Sequence, residues 1–102
     1  MSIKKQYLKS RPVSKVTFRL PQDAVPEAQK VSLVGEFNDW DSQANPMTRL
    51  KNGEFKVTVD LETGQEYNFR YLVEDSLWVN DAEADKYVPS GFAGEENSVV
   101  VV

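Results

Sequence analysis

The sequence predicts an all-β fold, an immunoglobulin-like antiparallel β-sandwich of about seven short strands. Three observations predict it. Apolar residues recur at every second position in separate short runs, Val16, Phe18 and Leu20 in one and Phe55, Val57, Val59 and Leu61 in another, which is the period of a half-buried strand. Turn formers such as Asn52-Gly53 and Thr63-Gly64 punctuate those runs. No intervening stretch repeats apolar residues at helical spacing, so packing one sheet on another is the way left to bury the apolar faces.

The elements follow in order. Residues 1–12 read as an N-terminal extension and 13–102 as the sandwich domain. Val13 to Leu20 is a strand that Pro21 ends, and Pro21 to Gln29 is a loop. Lys30 to Phe37 is the second strand, with Val31 and Leu33 on one face. Asn38 to Pro46 (NDWDSQANP) is dense in turn formers, which places Trp40 in or beside a turn. Met47 to Lys51 and Glu54 to Leu61 form a hairpin through Asn52-Gly53. Glu66 to Glu74 sends Tyr67, Phe69, Tyr71 and Val73 to the core and Asn68, Arg70 and Leu72 outward. Leu77 to Val79 pairs back after a turn and brings Trp78 beside Arg70. Asn80 to Asn97 is expected to be a long surface loop, and Val99 to Val102 the closing strand.

Composition excludes several functions. The 102 residues suffice for one domain, and 40% of them are hydrophobic, enough for a single core. Without cysteine there are no disulfides or thiolate metal sites, and without histidine there is no Ser-His-Asp chemistry and no histidine metal site. The carboxylates Asp39, Asp41, Asp81, Glu83 and Asp85 lack the glycine and ligand spacing of a calcium loop, so no metal and no cofactor is expected. Twelve basic against sixteen acidic residues give a net charge of −4, which disfavours nucleic acid; the basic residues Lys4, Lys5, Lys9, Arg11 and Lys15 read as a solvated face. No apolar run approaches the ~20 residues of a membrane span, and the first ten residues have no apolar signal region, so no membrane association and a cytoplasmic location are expected. Carboxylate-based hydrolysis needs two carboxylates about 5–10 Å apart in a cleft, so an enzyme is not expected in so small a domain.

The stretch Val31 to Trp40 (VSLVGEFNDW), Pro46 to Leu50 (PMTRL), the hairpin through Asn52-Gly53-Glu54-Phe55, the aromatic strand Tyr67 to Val73 followed by Trp78 and Asn80-Asp81, and the ending from Glu96 to Val101 resemble, in order and spacing, the carbohydrate-binding modules of family 48. That family includes glycogen-binding domains and the N-terminal domains of branching enzymes and isoamylases. The resemblance covers roughly residues 13–102. It implies non-catalytic binding of α-glucan chains, of glycogen, starch or malto-oligosaccharide, through an aromatic surface site. The positions similar to the family's carbohydrate-binding residues are Trp40, Trp78, Arg70 and Asn97, with Phe92 or Ala93 at an aliphatic position and Glu95 where a threonine is usual. Arg70 replaces a lysine, keeping the charge but changing the donor geometry.

These side chains suit a sugar, because a pyranose offers an apolar C–H face for an indole and a rim of hydroxyls for Arg and Asn. Three of them also have a structural reading. Trp40 could plug the core beneath its turn, Arg70 could pair with Glu74 or Asp60, and Asn97 could cap the turn before the last strand. The alternative function is accordingly a sandwich adaptor or structural module with a decayed glucan site. A glycogen-metabolising enzyme or another protein is then the expected partner.

Overall fold

The computed structural model describes residues 3–91 and 95–102. Among them are nine strands: β1 (Ile3–Tyr7), β2 (Val13–Leu20), β3 (Val31–Gly35), β4 (Thr48–Arg49), β5 (Phe55–Glu62), β6 (Glu66–Val73), β7 (Leu77–Val79), β8 (Lys86–Pro89) and β9 (Glu96–Val101). They make two antiparallel sheets, one in the order β1-β2-β5-β4 and the other β3-β6-β9-β8, with β7 also paired to β6. The all-β sandwich expected from the alternating runs is the fold.

The core forms where the two apolar faces meet. Val16, Phe18, Leu20 and Phe55 of the first sheet pack with Leu33, Phe69, Tyr71 and Val100 of the second. Phe18 meets Phe69 edge-on at 5.0 Å, and Phe69 meets Tyr71 at 5.8 Å, the tilted geometry that aromatic quadrupoles favour. Leu50 to Glu54 closes the β4–β5 hairpin, with Gly53 at φ +88° where a side chain would be strained.

The two strands beyond the seven expected are β1 and β8. Residues 3–7, read from the sequence as part of an extension, pair along β2, and Ile3 is buried. Their lone apolar anchor among Lys4, Lys5 and Gln6 gives no period-2 signal, and such charge is typical of an edge strand that must not template another chain. Lys5 reaches across to Asp85 at 2.7 Å, and Asp85 also accepts the Val101 amide at 2.7 Å, tying this edge to the second sheet. The expected loop from Asn80 to Asn97 likewise contains β8, and β9 starts at Glu96, ahead of the closing strand expected from Val99. Lys86-Tyr87-Val88-Pro89 is an outer strand with one charged end and one proline end, composition that reads as loop but is tolerated at an edge.

Candidate functional site

The site lies on the outer face of β6, where that strand changes partners. Along one of its sides Glu66 to Phe69 pair with β9, whereas Tyr71 to Val73 pair with β7. Arg70 falls at the junction. Asn80 splices the two shorter strands: its Nδ2 donates to the Glu96 carbonyl at 2.8 Å, and its Oδ1 accepts from the Ser98 amide at 3.0 Å and hydroxyl at 2.8 Å. Next to it Asp81, fully buried, accepts the Tyr71 hydroxyl at 2.7 Å and the Glu83 amide at 2.8 Å. Burial, then the Asp81 carboxylate and its hydrogen bond, push the Tyr71 phenol well above its ordinary pKa of 10.0, so Tyr71 stays a donor and anchors the splice to the core.

Trp78 is placed by register. It sits opposite Leu72 on β7, on the same face as Arg70. The hairpin that returns the chain there has Glu74 and Asp75 in the left-handed region, at φ 52° and 59°. Glu74 holds that turn by accepting the amides of Gln29 and Lys30, and its own amide donates to the Lys30 carbonyl at 2.9 Å. Those contacts offset the cost of left-handed backbone at residues other than glycine.

Trp40 is placed by a clamp. The second strand, expected to run to Phe37, stops at Gly35, and Glu36–Asn38 form a 3₁₀ turn. Gly35 lies so close to β6 that a Cβ there would stand 2.6 Å from the Asn68 carbonyl oxygen and 2.8 Å from Phe69 Cβ. Asn38 then fixes the turn, its Oδ1 accepting the Gly35 amide at 3.0 Å and its Nδ2 donating to the Leu33 carbonyl at 3.0 Å and to Asn45 Oδ1 at 2.8 Å. Asp39 and Trp40 both take left-handed φ, and the Trp40 amide closes back on the Gly35 carbonyl at 2.9 Å. The indole is directed outward, 40% exposed, and Trp78 is 46% exposed. Neither is a core plug.

Trp40 and Trp78 line one open groove of about 630 Å³ together with Arg70, Asn97 and Glu95, and Glu36, Asn68 and Ser90 complete it. That volume is within the range of about 300–1,000 Å³ usual for small-molecule sites. Arg70 forms its floor: the side chain is 12% exposed, Nε donates to Asn97 Oδ1 at 2.8 Å, and Nη1 is 3.8 Å from Glu95 Oε2. The ion pair therefore runs to Glu95 and not to Glu74 or Asp60; Glu74 is occupied at its turn and Asp60 faces Lys15 at 3.8 Å. Asn97 lies within β9, largely buried, instead of capping a turn. With its oxygen on Arg70, its amide nitrogen has no partner among the described residues.

Five of the six candidate residues thus meet in one groove. The sixth, Phe92, and its alternative Ala93 lie outside the described residues. Glu36, Asn68 and Ser90 were missed by sequence reasoning. Asn68 shares the outward register of Arg70 and so was within reach of that argument; Glu36 was hidden by reading β3 two residues too long. Among the described residues no group of three or more His, Cys, Asp or Glu could hold a metal ion.

A two-sheet β-sandwich whose outer face carries an open groove walled by two tryptophans, with an arginine and an asparagine as its floor, belongs to the class of small all-β sandwich modules. Residues 10–89 match the family model described as carbohydrate-binding module 48 (isoamylase N-terminal domain), and the chain belongs to that family. The matched span contains Trp40, Arg70 and Trp78 and ends before Glu95 and Asn97. The chain is 36% identical to a 1,4-alpha-glucan branching enzyme GlgB of Photobacterium profundum, over 84% of this chain and 11% of the relative. It is 35% identical to that of Aquifex aeolicus, over 70% of this chain and 11% of the relative. A 1,4-alpha-glucan-branching enzyme of Emericella nidulans is 39% identical over 48% of this chain and 7% of the relative. The chain therefore spans 7–11% of the length of these relatives.

Proposed function

We propose that this chain is a non-catalytic module that binds α-glucan chains of the glycogen or starch type in the Trp40–Trp78 groove. The observation that carries the reading is the convergence of two half-exposed indoles on the Arg70–Asn97 pair. An indole covers the C–H face of a pyranose, while the unused guanidinium hydrogens and the Asn97 amide donate to hydroxyls at its rim. Family membership supports carbohydrate as the ligand, and relatives named as 1,4-alpha-glucan branching enzymes favour α-glucan. Ordering costs offset much of the contact energy in an open groove, so binding of about −4 to −6 kcal/mol is expected, a Kd from about 1 mM down to tens of micromolar.

Retention on glycogen-coated beads tests the proposal, with bare beads and the W40A and W78A variants as controls. Retention no better than on bare beads overturns it. Pure protein incubated with amylopectin is expected to release no reducing sugar; sustained release would make the module an enzyme.

A second reading has one observation in its favour. The Glu95 carboxylate stands near Arg70, where it competes with sugar hydroxyls for the guanidinium. If that competition has cost the groove its glucan, the domain is a protein-interaction adaptor. Unchanged amide spectra on adding maltoheptaose, with co-purification of one discrete protein partner, distinguish this case.

A further inference from the structure

Glu36 occupies a position in the groove that the Trp, Arg and Asn set does not account for. It follows directly after Gly35, the last residue of β3 to pair with β6. Beyond that point the ladder would leave the Asn68 amide unpaired, and a buried or half-buried amide without a partner is costly. The Glu36 carboxylate supplies the partner: Oε1 accepts the Asn68 N–H at 2.6 Å. This bond fixes the carboxylate at the groove wall, because one oxygen is tied to a strand whose own position is set by ladders on both sides.

The second oxygen is left over. No cation pairs with Glu36 among the described residues, and its bond to Asn68 engages Oε1 alone. Glu36 is exposed and lines the same groove as Trp40 and Arg70. An ionised carboxylate has about four acceptor sites across its two oxygens and no hydrogen to give, so its unmet need is for donors. The groove's other polar residues are mixed: Arg70 and the Asn97 amide give hydrogens, and Glu95 spends its charge on Arg70. Asn68 and Ser90 can both give and accept, so a ligand seated on Trp40 meets in Glu36 a held carboxylate that no cation neutralises among the described residues, and the hydroxyls of a sugar chain are donors that suit it.

We infer that Glu36 is a further carbohydrate-binding residue, its Oε2 accepting hydrogen bonds from sugar hydroxyls at the Trp40 end of the groove. The inference rests on the glucan reading above and adds to it an acceptor that the two tryptophans, Arg70 and Asn97 do not provide. Hydrogen bonds to a charged acceptor are stronger and shorter than neutral ones, and a pre-fixed side chain loses little further freedom when the ligand arrives.

The test is titration calorimetry of maltoheptaose against wild type, E36Q, W40A and W78A, with thermal midpoints recorded for each. Gln keeps an oxygen for the Asn68 amide but removes the charge, so a purely structural Glu36 leaves E36Q binding unchanged. The expected result is a loss of about tenfold in E36Q affinity with little change in midpoint. As a measurement on the unaltered chain, the side-chain carboxyl ¹³C resonance of Glu36 is expected to move during the titration while those of Glu27 and Glu62, which do not line the groove, stay still. E36Q binding within twofold of wild type, or an unmoved Glu36 carboxyl, while W40A and W78A lose affinity, overturns the role of Glu36 and leaves the groove standing. Wild type that does not bind maltoheptaose overturns both.

Discussion

Truncating Trp78 separates the groove's contribution to binding from its contribution to the fold. Trp78 leaves 46% of its surface open. For a side chain offering up to about 250 Å², that is roughly 115 Å², and a sugar ring stacked on one face covers about half of it. At about 25 cal/mol per Å² the covered part contributes about 1.4 kcal/mol, so W78A is expected to weaken maltoheptaose binding about tenfold. The rest of the indole is buried and contributes up to about 3 kcal/mol to folding, so W78A should also unfold at lower temperature. The assay is therefore calorimetric titration at a temperature where amide spectra show both proteins folded. Trp40, 40% exposed, is expected to behave similarly, and the W40A W78A pair should lose about a hundredfold if the platforms act independently. Two folded single variants that both bind within twofold of wild type would show that the indoles are not the platforms.

Three further outcomes follow from other contacts. R70K removes the Nε donor that holds Asn97 Oδ1 at 2.8 Å, and a several-fold rise in the maltoheptaose Kd is expected because lysine cannot hold Asn97 and a sugar in one plane; unchanged affinity would mean the guanidinium geometry is immaterial. Tyr71 and Tyr67 both have pKa values raised in the fold, by burial first and then by the carboxylates of Asp81 and Glu62. The unfolded chain therefore releases those protons at lower pH than the folded one, and stability that is complete below about pH 10 should fall as pH rises above it. Y71F should make that fall shallower, while costing about 1–3 kcal/mol at neutral pH for the donor lost to buried Asp81, and alkaline thermal melts of both proteins check it. Among the described residues the Ser14 hydroxyl, which is buried, has no hydrogen-bond partner, so S14A is expected to raise stability by about 1 kcal/mol in a denaturant melt; a loss of stability would show that the hydroxyl is satisfied.

The strands legible in the sequence are those with one face in the core. Phe18, Phe55, Phe69 and Tyr71 gave unambiguous alternation because each sits between two sheets, where an apolar residue is required at every second position. The edges were not legible for the opposite reason. β1 has Ile3 alone to bury and β8 has no fully buried residue, so neither is under a pressure that writes a period into the chain. Their pairing is set by neighbours outside the strand itself, β2 for one and β9 for the other. Turn composition was similarly ambiguous at Gly35, where apolar Phe37 extended the β pattern although the backbone turns; Phe37 packs on the core from the turn, 5.9 Å from Phe18.

The groove itself was legible in unequal parts. Register alone put Trp78 and Arg70 on one face, since both lie outward on adjacent antiparallel strands. Trp40 depends instead on the Asn38 side chain and on two consecutive left-handed residues, an arrangement that no periodicity encodes. Asn97 joins them because β6 exchanges β9 for β7 at Arg70, opening a gap in the ladder that the guanidinium bridges. Two interruptions of pairing leave β6 and β9 with backbone groups that side chains then satisfy: where β3 ends at Gly35, Glu36 accepts the Asn68 amide, and where β9 gives way to β7, Asn80 bonds the Glu96 carbonyl and the Ser98 amide. Of these two side chains Glu36 also lines the groove, so a residue that completes the sheet is at the same time part of the open surface.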